Sequence, residues 1–263
     1  MMENEILISL LPVIFFNCLL ISTFIVFSII KRNRPKDTNI PKFSHKTFIG
    51  SFLREYGYWS TYPFVYVFIK LKITPNALTI IAPFIAVISA FFYYKGEFAN
   101  AGWILIASGI LDFLDGRLAR STNQITKEGA YLDSNMDRYS DGIIFAGIAL
   151  YFRNNLFMLI VTILSIIGTE ITSYAKARGE INGINTKIGL MQRTERFVLL
   201  WIVSIFHPFI MIVLNRNGIT TEYPIIIALI LMAVLTNYTA IVRIIYVFKE
   251  IRKDASGNKN KKR

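Results

Sequence analysis

The sequence predicts an all-α integral membrane protein, with a core of six transmembrane helices preceded by one additional N-terminal transmembrane helix. Three observations carry that expectation. Hydrophobic residues make up 54% of the 263 positions and the mean hydropathy is +0.47, above the range of an ordinary soluble domain. Apolar runs recur that are long enough, at about 1.5 Å per helical residue, to cross a hydrocarbon core of about 30 Å. The basic residues fall between those runs, most of them in alternate links.

The elements follow in order. Residues 1–31 hold the first apolar run, Ile6 to Ile30, "ILISLLPVIFFNCLLISTFIVFSII". A signal peptide would be shorter, would open on a basic region and would end at small residues, and none of these is present. The basic "KRNRPK" that follows is a stop that stays in the cytoplasm, which puts Glu3 and Glu5 outside. Residues 32–73 read as a cytoplasmic or interfacial juxtamembrane segment. Pro35, Pro41 and Pro63 punctuate it, and "REYGYWSTYPFVYVFIK" is dense in aromatics. Tyr and Trp favour the headgroup level, and Lys70 and Lys72 can snorkel.

Residues 74–250 form the six-helix domain. Thr74 is placed to cap, Pro75 suits a first helical turn, and spans follow at roughly 75–95, 99–120, 130–152, 156–178, 193–214 and 224–249. The basic tail, 251–263, is polar and reads as disordered. If each of the seven spans crosses, the clusters at 31–36, at Lys70 and Lys72, at 176–196 and in the tail share one side, and the opposite links hold only Lys95, Arg153 and Arg216. The link at 121–129 then faces the cytoplasm.

The net charge of +12 therefore reports membrane topology and not nucleic-acid binding. Cys18 is the one cysteine, and His45 and His207 lie far apart. A disulfide within the chain is excluded, and the sequence does not point to a His/Cys zinc site.

The chemistry concentrates in "DFLDGRLARSTNQITKEGAYLDSNMD", Asp112 to Asp137. Asp112, Asp115, Gly116 and Ala119 occupy one helical face, at i, i+3, i+4 and i+7. Gly129, Asp133, Asp137 and Asp141 occupy one face of the next helix at successive i+4 steps. A short link makes the two helices antiparallel neighbours, so the acidic faces can meet at one depth. Such carboxylates repel unless cations sit between them, and hard oxygen ligands suit Mg²⁺, Mn²⁺ or Ca²⁺. Two such ions about 4 Å apart clamp the attacking and leaving oxygens in phosphoryl transfer. Gly116 and Gly129 leave room for a nucleotide, and the planar fork of Arg120 suits a phosphate.

The spacing Asp112-x2-Asp115-Gly116-x2-Ala119-Arg120-x8-Gly129-x3-Asp133-x3-Asp137 resembles, without gap or substitution, the signature of the CDP-alcohol phosphotransferase family. The similarity covers about residues 70–250. It implies an integral membrane enzyme of phospholipid biosynthesis, a homodimer with two divalent cations, Mg²⁺ or Mn²⁺. The enzyme moves a phosphatidyl-type group from a CDP-linked lipid donor to an alcohol and releases CMP, with its active site toward the cytoplasm. By the same resemblance Asp112, Asp115, Asp133 and Asp137 bind metal, and Asp137 is also the general base. Gly116, Arg120 and Gly129 belong to the CDP pocket. An acceptor hydroxyl is a poor nucleophile near neutral pH, and a carboxylate that accepts its proton answers that difficulty.

The stretches "DRYSDG", "SYAKARGE", "QRTER" and "AIVRI" place Arg138, Lys176, Arg178, Arg193, Arg196 and Arg243 within or at the ends of apolar spans. Positive-inside anchoring explains any one of them; together they can hold an anionic headgroup. These stretches resemble the branch of the family that makes phosphatidylinositol phosphate. That branch implies a phosphorylated polyol, inositol 1-phosphate, as acceptor, with its phosphate on Lys176, Arg196 and Arg243. Gly179 departs from the alanine expected there. Glycerol 3-phosphate is an alternative acceptor for the same basic residues, and a membrane cation transporter, with aspartates spread across membrane depth, is the alternative of another class.

Overall fold

The computed structural model describes residues 15, 18–19, 21–27, 29, 59–186 and 188–260. Seven helices are bounded among them: α1 (Tyr62–Lys70), α2 (Pro75–Lys95), α3 (Phe98–Ser121), α4 (Lys127–Tyr151), α5 (Leu156–Ile181), α6 (Arg193–Arg216) and α7 (Tyr223–Asn260). The described residues contain no strand. Of the expected N-terminal span, residues 21–27 are helical; most of Ile6 to Ile30, the basic stop and 32–58 lie outside the described residues.

Local chemistry sets the helix starts. Thr74 Oγ1 accepts from the Ala77 amide at 3.3 Å, with Pro75 in the first turn, as the sequence predicts. Asn155 caps α5 by accepting from the Met158 amide at 3.1 Å. The nine residues of α1 span only about 14 Å, too short to cross a membrane.

Four helices (α2, α3, α5 and α6) and the stretch Tyr223–Lys253 of α7 are long and apolar enough to cross a membrane. The remaining long helix, α4, is less apolar because it carries Asp133, Asp137, Arg138 and Asp141. Phe84, Ile110, Ile163, Ile227 and Val234 point outward, which in water would be costly and in lipid is not. The protein is an all-helical integral membrane protein.

The chain divides into two units, Met1–Ile85 with Ile106–Tyr139, and Ala86–Leu105 with Ser140–Arg263. In the first, Val65 of α1, Leu78 of α2 and Leu114 and Leu118 of α3 form a buried cluster, flanked by Phe68, Ile73 and Leu111. Arg117 Nη1 donates to Thr61 Oγ1. In the second, a larger core gathers Tyr93, Phe98, Phe145, Ile148, Leu229 and Met232 among others. There α5 and α7 approach closely: Thr172 Oγ1 donates to the Thr236 carbonyl at 3.0 Å and Asn237 Nδ2 to the Leu164 carbonyl at 2.9 Å. A Cβ on Gly168 would lie 2.2 Å from Thr236 Oγ1, so glycine permits this approach, as small residues do between membrane helices. His207 pairs with Glu222 at 2.6 Å.

Helix α7 continues past residue 250 to Asn260. No proline intervenes after Pro224, and Lys253 Nζ meets Glu250 Oε1 at 2.6 Å, the i, i+3 pairing that supports an exposed helix.

Candidate active site

The short link between α3 and α4 places the expected acidic faces together. It turns at Asn123, whose φ is 54°, a left-handed conformation that asparagine tolerates. Thr126 then caps α4, accepting from the Gly129 amide at 2.9 Å. The result brings carboxylate oxygens of Asp112, Asp133 and Asp137 within 4.8 Å of one another, all three partly buried. Arg138 Nη2 lies 3.8 Å from Asp137 Oδ2. Three hard oxygen donors converging at this spacing fit a divalent cation such as Mg²⁺ or Mn²⁺. They sit together, unlike the spread of acids that an ion path through the membrane would show.

Asp115 takes a different position. It is buried, with Oδ2 accepting from Thr79 Oγ1 at 2.5 Å, and it is not part of the three-carboxylate group. It lines an adjoining cavity of about 210 Å³ with Asp133, Gly116, Arg120 and Gly129. The guanidinium of Arg120 lies over Gly116, where a Cβ would come to 3.5 Å from Nη1. At Gly129 a Cβ would stand 3.1 Å from Thr126 Oγ1 and 3.3 Å from Asn76 Oδ1, so a side chain there would narrow the cavity. The cavity thus combines carboxylates, a guanidinium and two bare backbone positions, a set that suits a diphosphate bound with a cation.

Among the lining residues to which the sequence assigns no role at the site, two carry polar side chains from α2. Asn76 and Thr79 also face the cavity, although "TPNALT" reads only as a helix start. Their i, i+3 spacing puts both on one face, and that was the available signal.

The residues expected at the acceptor make different contacts, all within the second unit. Arg196 is buried, with Nη2 3.6 Å from Asp141 Oδ2. Asp141 also stands 3.9 Å from Arg193 Nε. These three line a small cavity of about 20 Å³. Arg243, also buried, donates from Nε to the Ile188 carbonyl at 2.8 Å and from Nη1 to the Thr172 carbonyl at 2.9 Å. Lys176 is half exposed, 3.8 Å from Glu180. The glycine at 179 has a local cause: a Cβ there would lie 2.4 Å from Thr186 Cγ2 and 3.0 Å from Val247 Cγ2. The segment after α5 folds back too closely for alanine.

Membrane-spanning helices that present clustered carboxylates beside an anion-sized cavity define an integral membrane phosphotransferase as the class. Residues 72–248 match the family described as CDP-alcohol phosphatidyltransferase, and the chain belongs to that family. It is 42% identical over 139 residues to the archaetidylinositol phosphate synthase of Pyrococcus horikoshii, covering 52% of this chain and 72% of the relative. It is 32% identical over 196 residues to the phosphatidylinositol phosphate synthase of Streptomyces avermitilis, covering 72% and 78% of the two chains. The fold is similar to that of the Mycobacterium tuberculosis phosphatidylinositol phosphate synthase. Its crystal structure in complex with manganese and citrate superposes with a TM-score of 0.64 at 24% identity, over 72% of this chain and 88% of that one. Its structure with CDP-DAG bound gives 0.62 over 71% and 92%.

Proposed function

We propose that the protein transfers a phosphatidyl-type group from CDP-diacylglycerol, or an ether-linked counterpart, to inositol 1-phosphate, and releases CMP. The observation that carries the reading is the convergence of Asp112, Asp133 and Asp137 to within 4.8 Å, beside the cavity that holds Asp115, Gly116, Arg120 and Gly129. The names of the relatives, archaetidylinositol phosphate synthase and phosphatidylinositol phosphate synthase, support the acceptor.

Asp112, Asp115, Asp133 and Asp137 would hold two divalent cations, Mg²⁺ or Mn²⁺, which supply charge neutralisation for the donor's diphosphate. Gly116 and Gly129 let the nucleotide approach the backbone, and Arg120 pairs with a phosphate oxygen. Asp137 accepts the proton of the acceptor hydroxyl. The acceptor oxygen then bonds to the lipid-bearing phosphorus, the phosphorus–oxygen bond to CMP breaks, and CMP departs with the electron pair on its phosphate oxygen. Lys176, Arg196 and Arg243 supply positive charge for the phosphate of the acceptor. The lysine and arginine distribution supports a site on the cytoplasmic side, and the proposed enzyme works as a homodimer.

The test is direct. Purified protein is incubated with CDP-diacylglycerol, Mg²⁺ or Mn²⁺, and separate acceptors, and CMP and lipid product are measured. Inositol 1-phosphate is expected to give the fastest release. Product from glycerol 3-phosphate alone would overturn the acceptor, and no CMP with any acceptor would overturn the reaction.

A further inference from the structure

The hydrogen bond between Thr79 and Asp115 joins α2 to α3, and the catalytic reading gives Thr79 no role. Both residues are 5% exposed, and both line the cavity together with Asp133. Thr79 Oγ1 has two acceptors in reach: Asp115 Oδ2 at 2.5 Å and the carbonyl of Pro75, one turn back, at 3.2 Å. A threonine inside a helix commonly bonds that carbonyl. The single hydroxyl proton here belongs to the shorter contact, whose length is that of a hydroxyl bound to a carboxylate. Asp115 stands one helical turn beyond Asp112, yet only Asp112 joins Asp133 and Asp137 in the close group.

We infer that Thr79 is a positioning residue: its hydroxyl fixes the plane of the Asp115 carboxylate in the orientation from which Asp115 completes the divalent-cation site. The inference rests on the cation reading above. A merely structural bond between α2 and α3 would show itself in stability and not in cation affinity, and this difference decides the test.

Thr79→Val keeps the shape and removes the hydroxyl; Thr79→Ser keeps the hydroxyl. Mn²⁺ binding to the full chain in detergent is followed by electron paramagnetic resonance, without substrate, alongside thermal melting in chelator. Thr79→Val is expected to weaken Mn²⁺ binding about tenfold while Thr79→Ser stays within about twofold of the parent. Thr79→Val binding Mn²⁺ as tightly as the parent overturns the inference, whether or not its melting temperature falls. Thr79→Ala provides the same comparison if the valine variant does not fold. Absence of Mn²⁺ binding by the parent protein would instead overturn the cation reading itself, and this inference with it.

Discussion

Asp133→Asn should stabilise the protein in chelator and destabilise it, relative to the parent, in Mn²⁺. The oxygens of Asp112, Asp133 and Asp137 lie within 4.8 Å of one another. At that distance two unit charges repel by about 3.5 kcal/mol at an effective dielectric constant of about 20. Asp133 takes part in two such pairs, so the charge removed corresponds to about 7 kcal/mol before screening. All three carboxylates are partly exposed, and Arg138 stands 3.8 Å from Asp137. Solvent, salt and that guanidinium reduce the relief to about 1–3 kcal/mol, a rise of several degrees in melting temperature. Saturating cation reverses the order: at about a thousand times its dissociation constant it adds about 4.1 kcal/mol to the parent and much less to the variant. The assay is thermal melting in detergent, with chelator and with Mn²⁺. A variant that melts below the parent in chelator, or that gains as much from Mn²⁺, would refute the view that these carboxylates are held against their own repulsion for a cation.

Asp137→Asn should lower CMP release by orders of magnitude with melting in chelator unchanged or raised; unchanged turnover removes its role as base. Lys176→Ala should raise the KM for inositol 1-phosphate and leave kcat nearly alone, as steady-state kinetics would show; an unaltered KM argues against the phosphate contact. Gly179→Ala should cost about 1–3 kcal/mol by overpacking, because its Cβ would lie 2.4 Å from Thr186 Cγ2. Adding Thr186→Ser, which removes that methyl, should restore part of the loss in a thermal-melting comparison, and no recovery would place the strain elsewhere.

The signature aspartates illustrate what periodicity can reach. Asp112 and Asp115 are three residues apart on α3, Asp133 and Asp137 four apart on α4, and the link between the helices is short. Helical geometry alone puts each pair on a face, and the link leaves little choice but an antiparallel return. The caps at Thr74 and Asn155 are similarly local, because a capping side chain bonds an amide three residues away. The extent of α7 to Asn260 is not legible in the same way: composition measures burial capacity, and an exposed helix held by pairs such as Glu250 and Lys253 needs none.

Local sequence therefore set the membrane-spanning periodicity, the helix starts and the acidic stripes, since each depends on residues within a turn or two of one another. Tertiary packing alone separated Asp115 from the other three carboxylates, brought Thr79 to it from 36 positions away, closed Asn76 over Gly129, and required glycine at 179. Those outcomes depend on distances between helices remote in the chain, and a side chain carries no mark of the partner that packing will bring to it.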